Sequence, residues 1–207
     1  MEFEVGHLYH IYNQGNNRQR VFFTRENYLF FLEKISKHIT PYADVLAWCL
    51  MPNHFHLMVH VNHISLPENA SPSATSMRTS ISRARTANVT LQQSIGIMLA
   101  SYTRAINKQN GWSGSLFRQE TKAICLTRND ELTRAWFFFD GVTSINNTPP
   151  ELQYPNLCYN YILRNPVKDG LVKSIDEWEF SSYLDVVGER HGRLISRERI
   201  AEFGLTI

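Results

Sequence analysis

Two apolar segments joined by a tight turn occupy residues 46–61. Pro52-Asn53 lies between them, and both residues favour turns, since proline presets φ and asparagine tolerates unusual backbone angles. The sequence therefore predicts a β-hairpin here. Residues i and i+2 of a strand project to the same face. His54 and His56 are thus expected to point together at the start of the second strand, while Phe55 points to the other face.

Two neutral imidazoles side by side supply half of a divalent-metal site. A pair of histidines on a strand is more often structural than ligating. Here the pair follows a turn and is flanked by apolar residues, and burying imidazoles without partners is costly. If the pair binds a metal, the remaining ligand has to come from another part of the chain.

Composition narrows the class of protein. The chain has 207 residues, which suits one domain with appendages or at most two small domains. It is 43% apolar and 19% charged, which is enough for a core and too little charge for disorder. Net charge is only +2, but residues 78–128 carry eight basic side chains and one acidic. That basic segment, in an aromatic-rich chain, is typical either of a solvated helix face or of a protein that binds a phosphate backbone.

Three cysteines, Cys49, Cys125 and Cys158, lie far apart in apolar surroundings. Their odd number and spacing favour reduced core residues rather than a disulfide framework. The sequence has no signal peptide and no apolar run of about 20 residues, which a membrane-spanning helix would need. We therefore expect a soluble, cytoplasmic protein without membrane contacts.

Periodicity predicts an alternation of strands and helices. The predicted strands are Val5–Asn13, the two arms of the hairpin and Thr121–Leu126. The first predicted helix begins after Thr24 and ends near Thr40. The other predicted helices are Leu91–Gln109, Asp130–Gly141, Asn156–Arg164 and Ser196–Phe203. This order predicts an α+β fold with a ferredoxin-like antiparallel sheet, helices packed on one face, and a C-terminal helical tail.

Tyr161 and Asn165 lie four residues apart on the predicted helix that Asn165-Pro166 closes, so they share one helical face. A carboxamide oxygen is a suitable ligand for a hard cation, and a phenol can attack an activated phosphate. Tyrosines on helices usually serve in packing, and residues 161 and 165 taken alone do not decide the matter. Tyr159 faces another direction and lacks an asparagine four residues on, and Tyr154 lies outside this segment.

Three blocks of sequence carry a resemblance. Pro52–Val59 resembles the His-hydrophobe-His (HUH) motif of the single-tyrosine transposases. Trp112–Arg118 with Lys122-Ala123, and Tyr161–Val172, resemble two further blocks of that family in the same order. The chain is most similar to the branch associated with repetitive extragenic palindromes.

The resemblance implies a ferredoxin-like transposase that cleaves and rejoins single-stranded DNA through a 5′-phosphotyrosine. Tyr161 would be the nucleophile, and His54, His56 and Asn165 would bind Mg²⁺ or Mn²⁺. Its DNA partner would carry hairpins or palindromic repeats, and relatives occur both as monomers and as homodimers with an exchanged tyrosine helix. The positions expected to contact DNA are the basic residues Arg118, Lys122, Arg104 and Lys168.

On this basis residues 1–185 form the catalytic domain, with a basic Ser/Thr-rich insertion at 63–90, and residues 186–207 form the tail. That insertion and the extra residues before Tyr161 depart from the family pattern. One alternative is a catalytically silent or domesticated protein that binds DNA at palindromic repeats. Another is a zinc enzyme in which His60 or His63 is a further ligand. Positions 56 and 60 of a strand lie roughly 13 Å apart, which is too far to bind one ion and disfavours this alternative.

Overall fold

The computed structural model describes residues 2–67, 88–127, 137–139, 142–144 and 150–207. Four strands form one antiparallel sheet in the order β2-β3-β1-β6. They are β1 (Leu8–Gln14), β2 (Ala43–Met51), β3 (His54–Val61) and β6 (Lys122–Cys125). Two short antiparallel pairs lie outside this sheet, β4 (Ser65–Pro67) with β5 (Asn88–Thr90) and β7 (Phe137–Phe139) with β8 (Val142–Ser144).

Helices α1 (Arg25–His38) and α2 (Leu91–Asn110) each connect two parallel strands that have a third strand between them. Two such split βαβ units make the ferredoxin-like arrangement, and right-handed crossovers place both helices on the same face. The later helices are α3 (Pro150–Lys168), α4 (Tyr183–Val187) and α5 (Arg197–Glu202). The predicted α+β class and antiparallel sheet are confirmed, and α3 lies on the face opposite α1 and α2.

The ends of α1 and α2 follow from local sequence. Asn27 accepts hydrogen bonds from the backbone N–H groups of Phe23 and Thr24, which confirms the predicted start after Thr24. Gly111 ends α2 in the left-handed conformation with φ of 68°, as the sequence predicts. A polar side chain thus determines the start of α1, and a glycine determines the end of α2.

The core lies between the sheet and the pair α1 and α2. Phe31 of α1 contacts Phe55 of β3 with ring centroids 5.1 Å apart, and Tyr102 of α2 lies 4.9 Å from Phe31. Phe117 closes this aromatic cluster 5.9 Å from Phe55. The strand alternation that turns Phe55 into this core turns His54 and His56 towards α3.

Two predicted helices differ from the structure. Phe137–Phe139 is a strand rather than the end of a helix, because it pairs with Val142–Ser144, and residues 130–136 of that predicted helix lie outside the described residues. The helix bearing Tyr161 continues past Asn165-Pro166 to Lys168. The missing N–H of Pro166 removes one helical hydrogen bond, but the backbone N–H of Asp169 still donates to the Asn165 carbonyl at 3.0 Å.

The tail after α3 covers the open edge of β2. The backbone N–H of Leu50 donates to the Phe180 carbonyl at 2.8 Å, and that of Ser196 donates to the Val45 carbonyl at 2.8 Å. Residues 68–87 of the predicted insertion lie outside the described residues, and the division at residue 185 stays a prediction. Within the part of the chain that the structure describes, no helix is long and apolar enough to cross a membrane.

The turn before His54 is held by a close backbone approach at Gly15. The Gly15 N–H donates to the Asn53 carbonyl at 2.8 Å. A Cβ at this position would lie 2.2 Å from the Gln19 carbonyl oxygen and 2.9 Å from Val21 Cγ1. We therefore expect Gly15→Ala to lower the free energy of unfolding by about 1–3 kcal/mol, the usual cost of overpacking, in urea denaturation.

Gly96 is the matched control for this prediction. It lies exposed on α2, and a Cβ added there would meet no neighbouring side chain or backbone of the described residues within 4 Å. Gly96→Ala should raise stability by about 0.5–1 kcal/mol because alanine favours helix. Equal stability of Gly15→Ala and the natural sequence would contradict the steric argument.

A second prediction concerns His38, which is buried at the end of α1. Burial, with Lys34 and Lys37 nearby, lowers the pKa of His38 to about 4. In the unfolded chain the pKa of this histidine is about 6.5, so between that pH and about 4 the unfolded chain binds a proton that the folded chain does not. The stability that neutral, buried His38 contributes is therefore complete above pH ~6.5 and is lost as pH falls. His38→Asn should remove about 2 kcal/mol of the decline in unfolding free energy between pH 7 and pH 5.

The measurement is urea denaturation at both pH values. The exposed His191 provides the control, His191→Asn, which should leave the decline unchanged. An unchanged decline in His38→Asn would show that the cost of protonation arises elsewhere.

Candidate active site

The two histidines of the predicted pair begin β3 and face α3. His54 is partly exposed, whereas His56 is 5% exposed. The side chain of Asn53 fixes the orientation of His54, because its Oδ1 lies 2.6 Å from His54 Nδ1. Burial lowers the pKa of His54, and the Asn165 carboxamide oxygen near Nε2, which favours the protonated ring, acts in the opposite direction. His54 is therefore a neutral imidazole whose other nitrogen, Nε2, points across to α3.

A third histidine lies beside this pair. His10 of β1 places Nε2 2.9 Å from His56 Nδ1, and the two rings stack with centroids 5.0 Å apart. Burial lowers the pKa of His10 to about 4. The pKa of His56 also lies well below its ordinary value, first because of burial and then because of neighbouring His10, His54 and Lys168. Both rings are neutral at physiological pH, so one of the two facing nitrogens donates a proton to the other.

His56 Nε2 is buried and makes no hydrogen bond to any residue that the structure describes. A buried polar atom without a partner costs about 1–3 kcal/mol. When His56 donates through Nδ1 to His10, the lone pair on Nε2 is left for a ligand. The sequence prediction that this pair of histidines needs an outside partner fits this geometry.

Helix α3 brings the predicted nucleophile and third ligand to the histidines. Asn165 is 2% exposed, and its Oδ1 lies 3.2 Å from His54 Nε2. The Tyr161 ring lies 5.3 Å from the His56 ring and 6.2 Å from the His10 ring. Lys168, two turns further on, places its ammonium 4.9 Å from the Tyr161 ring centroid. The spacing of Tyr161 and Asn165 on one helical face thus places both at the histidine pair.

The side chains of His54, His56 and Tyr161 line one pocket. Its lining consists of polar, aromatic and charged side chains from β1, β3, α3 and the 118–122 segment: Tyr12, Asn13, Gln14, His54, His56, Arg118, Glu120, Lys122 and Tyr161. Two of the four predicted DNA contacts, Arg118 and Lys122, lie in it. Lys122 forms an ion pair with Glu120 at 2.6 Å, and this pair also holds the pKa of Glu120 below its ordinary value.

The other two predicted DNA contacts lie elsewhere. Lys168 lies over the Tyr161 ring as described, on the exposed end of α3. Arg104 lies on α2 and lines a neighbouring groove that also includes Arg118. Arg118 is thus shared by the pocket and the groove, while Arg104 does not line the pocket.

The rival tyrosines are placed differently from Tyr161. Tyr159 is 0% exposed, and its buried hydroxyl has no hydrogen-bond partner among the described residues. Burial raises its pKa further above the ordinary value of a phenol. Tyr154 is partly buried against the core near the start of α3. Neither lines the pocket that contains Tyr161.

The donor set limits which metal could be bound. Among the described residues, no group of three or more His, Cys, Asp or Glu side chains is arranged to hold an ion. His60, considered for zinc, places its Nδ1 3.0 Å from Asn62 Oδ1 and packs 5.3 Å from the Phe203 ring. Two imidazoles with the carboxamide of Asn165 are the donors that remain. Mixed nitrogen and oxygen donors suit Mn²⁺ better than Mg²⁺.

Sequence reasoning missed the parts of the site that depend on strand pairing. His7 lies just before β1 and places its Nδ1 3.0 Å from Thr127 Oγ1, whereas His10, which no sequence motif marks, contacts His56. Tyr12 lies opposite His56 in the register of β1 and β3, and Gln14 lies opposite His54. The signal available was the alternation His10, Tyr12, Gln14 on one face, which gains meaning only when β1 is known to pair with β3.

Comparison with known proteins gives one finding. The fold is similar to that of a solved structure described as a REP-associated tyrosine transposase bound to a REP hairpin, with a TM-score of 0.54 and 17% sequence identity. The match covers 91% of this chain and 83% of the other. No protein-family model and no curated protein matches the sequence. At this identity the likeness shows a shared fold, which is the fold that the sequence resemblance implies.

Proposed function

We propose that the protein is a metal-dependent transposase or nickase that cleaves and rejoins single-stranded DNA through a 5′-phosphotyrosine. One observation carries the proposal: Tyr161 of α3 lines one pocket with His54 and His56 of β3, and buried Asn165 of the same helix places its Oδ1 3.2 Å from His54 Nε2. The structural neighbour is a tyrosine transposase bound to a hairpin. A DNA hairpin with a single-stranded extension is therefore the substrate that we assign to this chain.

In the proposed reaction the Tyr161 oxygen attacks a backbone phosphorus. The bond from phosphorus to the 3′ oxygen breaks, the phenol loses its proton, and the departing 3′ oxygen gains one. Phosphorus stays bonded to the tyrosine oxygen and to the 5′ oxygen of the downstream nucleotide, so the energy of the ester is kept for rejoining by the reverse attack. An unperturbed phenol has a pKa of about 10. The Lys168 ammonium, 4.9 Å from the ring centroid, stabilises negative charge that develops there.

We assign His54, His56 and Asn165 as the residues that hold a Mg²⁺ or Mn²⁺ ion. The unpartnered Nε2 of buried His56 fits this assignment, as does the approach of His54 Nε2 and Asn165 Oδ1. When bound, such an ion would withdraw charge from the phosphate oxygens and orient the phosphate for attack. His10 orients the His56 ring from behind, which is the role that outer partners of ligating histidines commonly play.

The cations of the rim suit a phosphate backbone. Arg118 and Lys122 line the pocket, Arg104 extends the positive surface along α2, and Lys168 flanks the tyrosine. Because Lys122 is shared with Glu120, we expect Arg118 to contribute more to DNA affinity than Lys122 does. Binding through such contacts weakens as salt rises.

The test of the proposed function is adduct formation. A labelled hairpin oligonucleotide with a single-stranded extension is incubated with the protein and Mn²⁺, and covalent protein–DNA products are resolved on a denaturing gel. We expect an adduct with the natural sequence and its loss, by at least about 100-fold in rate, in Tyr161→Phe, which lacks the attacking oxygen.

Tyr159→Phe is the matched control, two residues away on the same helix. It removes a buried hydroxyl that has no partner among the described residues, so it should keep the adduct and unfold no more easily. An adduct that persists in Tyr161→Phe would contradict the assignment of the nucleophile. Salt-sensitive binding without any adduct would instead support the alternative of a catalytically silent DNA-binding protein.

A separate prediction concerns the metal and His10. His10→Leu leaves His56 Nδ1 without its partner, so we expect Mn²⁺ affinity to fall by about 10- to 100-fold, measured by calorimetric titration of the protein without DNA. His10→Gln, which can still hydrogen-bond, should lose less. His7→Gln, on the residue just before β1 that bonds to Thr127, is the control and should bind Mn²⁺ as the natural sequence does. Equal affinity in His10→Leu would contradict the orienting role.

A further inference from the structure

Two side chains of the pocket take no part in the proposed reaction. Tyr12 and Gln14 lie on β1, on the face shared with His54 and His56, and both line the pocket beside Tyr161. Residues two apart on a strand lie about 7 Å from each other. Tyr12 and Gln14 therefore form one wall of the pocket next to the reacting groups.

The Tyr12 ring packs against two histidine rings and remains partly exposed. Its centroid lies 4.9 Å from the His10 ring and 5.7 Å from the His56 ring. On its other side Tyr12 lies opposite Lys122 in the register of β1 and β6. The Tyr12 hydroxyl makes no hydrogen bond to any described residue. A partly exposed ring that packs against two other rings in the wall of a positive pocket is a stacking surface for a planar ligand.

Gln14 is joined to Arg118 through the backbone. The Arg118 N–H donates to the Gln14 carbonyl at 2.9 Å. Buried Asn13 fixes this connection, since its Nδ2 donates to the Arg118 carbonyl at 3.1 Å and to Thr121 Oγ1 at 2.9 Å. The Gln14 carboxamide and the Arg118 guanidinium both line the pocket, and neither bonds to another side chain within the described ranges. Their backbones are fixed while their polar groups face the pocket.

We propose that Tyr12, Gln14 and Arg118 form a subsite for a purine base adjoining the phosphate that Tyr161 attacks. This inference rests on the proposed function, of which it specifies the substrate. The Tyr12 ring stacks on the base, a contact that any base can make. Gln14 and Arg118 donate to acceptors on the base edge, and pairing of glutamine with adenine and of arginine with guanine favours purines, which offer N7.

The test is a thermodynamic cycle between protein and DNA, measured by fluorescence anisotropy without metal. The probe is a labelled hairpin with a single-stranded oligodeoxyadenosine extension, in which an abasic site replaces each adenosine in turn. We expect one position at which base removal weakens binding by the natural sequence about 5- to 150-fold, the range for loss of a stacked base. Tyr12→Val should weaken binding to the intact probe by a similar factor and be insensitive to the abasic site at that position.

Tyr12→Val keeps a residue suited to a strand, and Tyr12→Phe, which keeps the ring, should show the same sensitivity to the abasic site as the natural sequence. Gln14→Ala should reduce the preference for adenosine over thymidine at the same position. If the losses from Tyr12→Val and from the abasic site simply add, or if thymidine binds as well as adenosine, the purine subsite is wrong and Arg118 serves as a phosphate contact alone.

The two proposals fail in different ways. Absence of binding to any of these oligonucleotides would contradict the proposed function itself. Binding without coupling contradicts only the subsite. Coupling at one position together with a failed adduct assay would leave the subsite standing on a protein that binds single strands without cutting them.

Discussion

The alternation of side chains along β3 divides the molecule into two layers. Phe55 points into the aromatic core beneath α1 and α2, while His54 and His56 on either side of it point towards α3. A shift of one residue in the pairing of β3 would exchange these faces and expose Phe55. The register that buries the aromatic cluster is therefore also the register that assembles the pocket. Core stability and site geometry depend on the same strand pairing.

The second layer is costly to bury, and its composition reflects that cost. His10, His56 and Asn165 are nearly inaccessible, and within the described residues the buried Nε2 of His56 has no hydrogen-bond partner. A layer selected for stability alone would place apolar side chains at these positions. Partly satisfied polar groups persist where a bound ligand completes them. His56 Nε2, which has no partner among the described residues, is an atom that a bound ligand would complete.

Much of the fold followed from local signals, and the exceptions have identifiable causes. The hairpin at Pro52-Asn53, the start of α1 and the end of α2 rest on turn and capping chemistry, which acts over a few residues. Periodicity predicts a helix where Phe137–Phe139 forms a strand, although the dipeptide Asp140-Gly141 that follows it in the sequence is typical of two-residue hairpins. Continuation of α3 past Pro166 could not be predicted, because packing of the helix on the sheet outweighs the local preference to stop.

The site shows the same division between local and long-range information. His54 with His56, and Tyr161 with Asn165, are pairs whose spacing alone predicts a shared face. The resemblance implies that the residues of these two faces act together, and they meet because α3 crosses the sheet opposite α1 and α2.

His10 and Tyr12 lie more than 40 residues before the histidine pair and enter the site through the β1–β3 register. His10 packs against the His56 ring, and Tyr12 lines the pocket beside His56 and Lys122. The β1–β3 pairing thus brings to the site residues that no motif in the sequence marks.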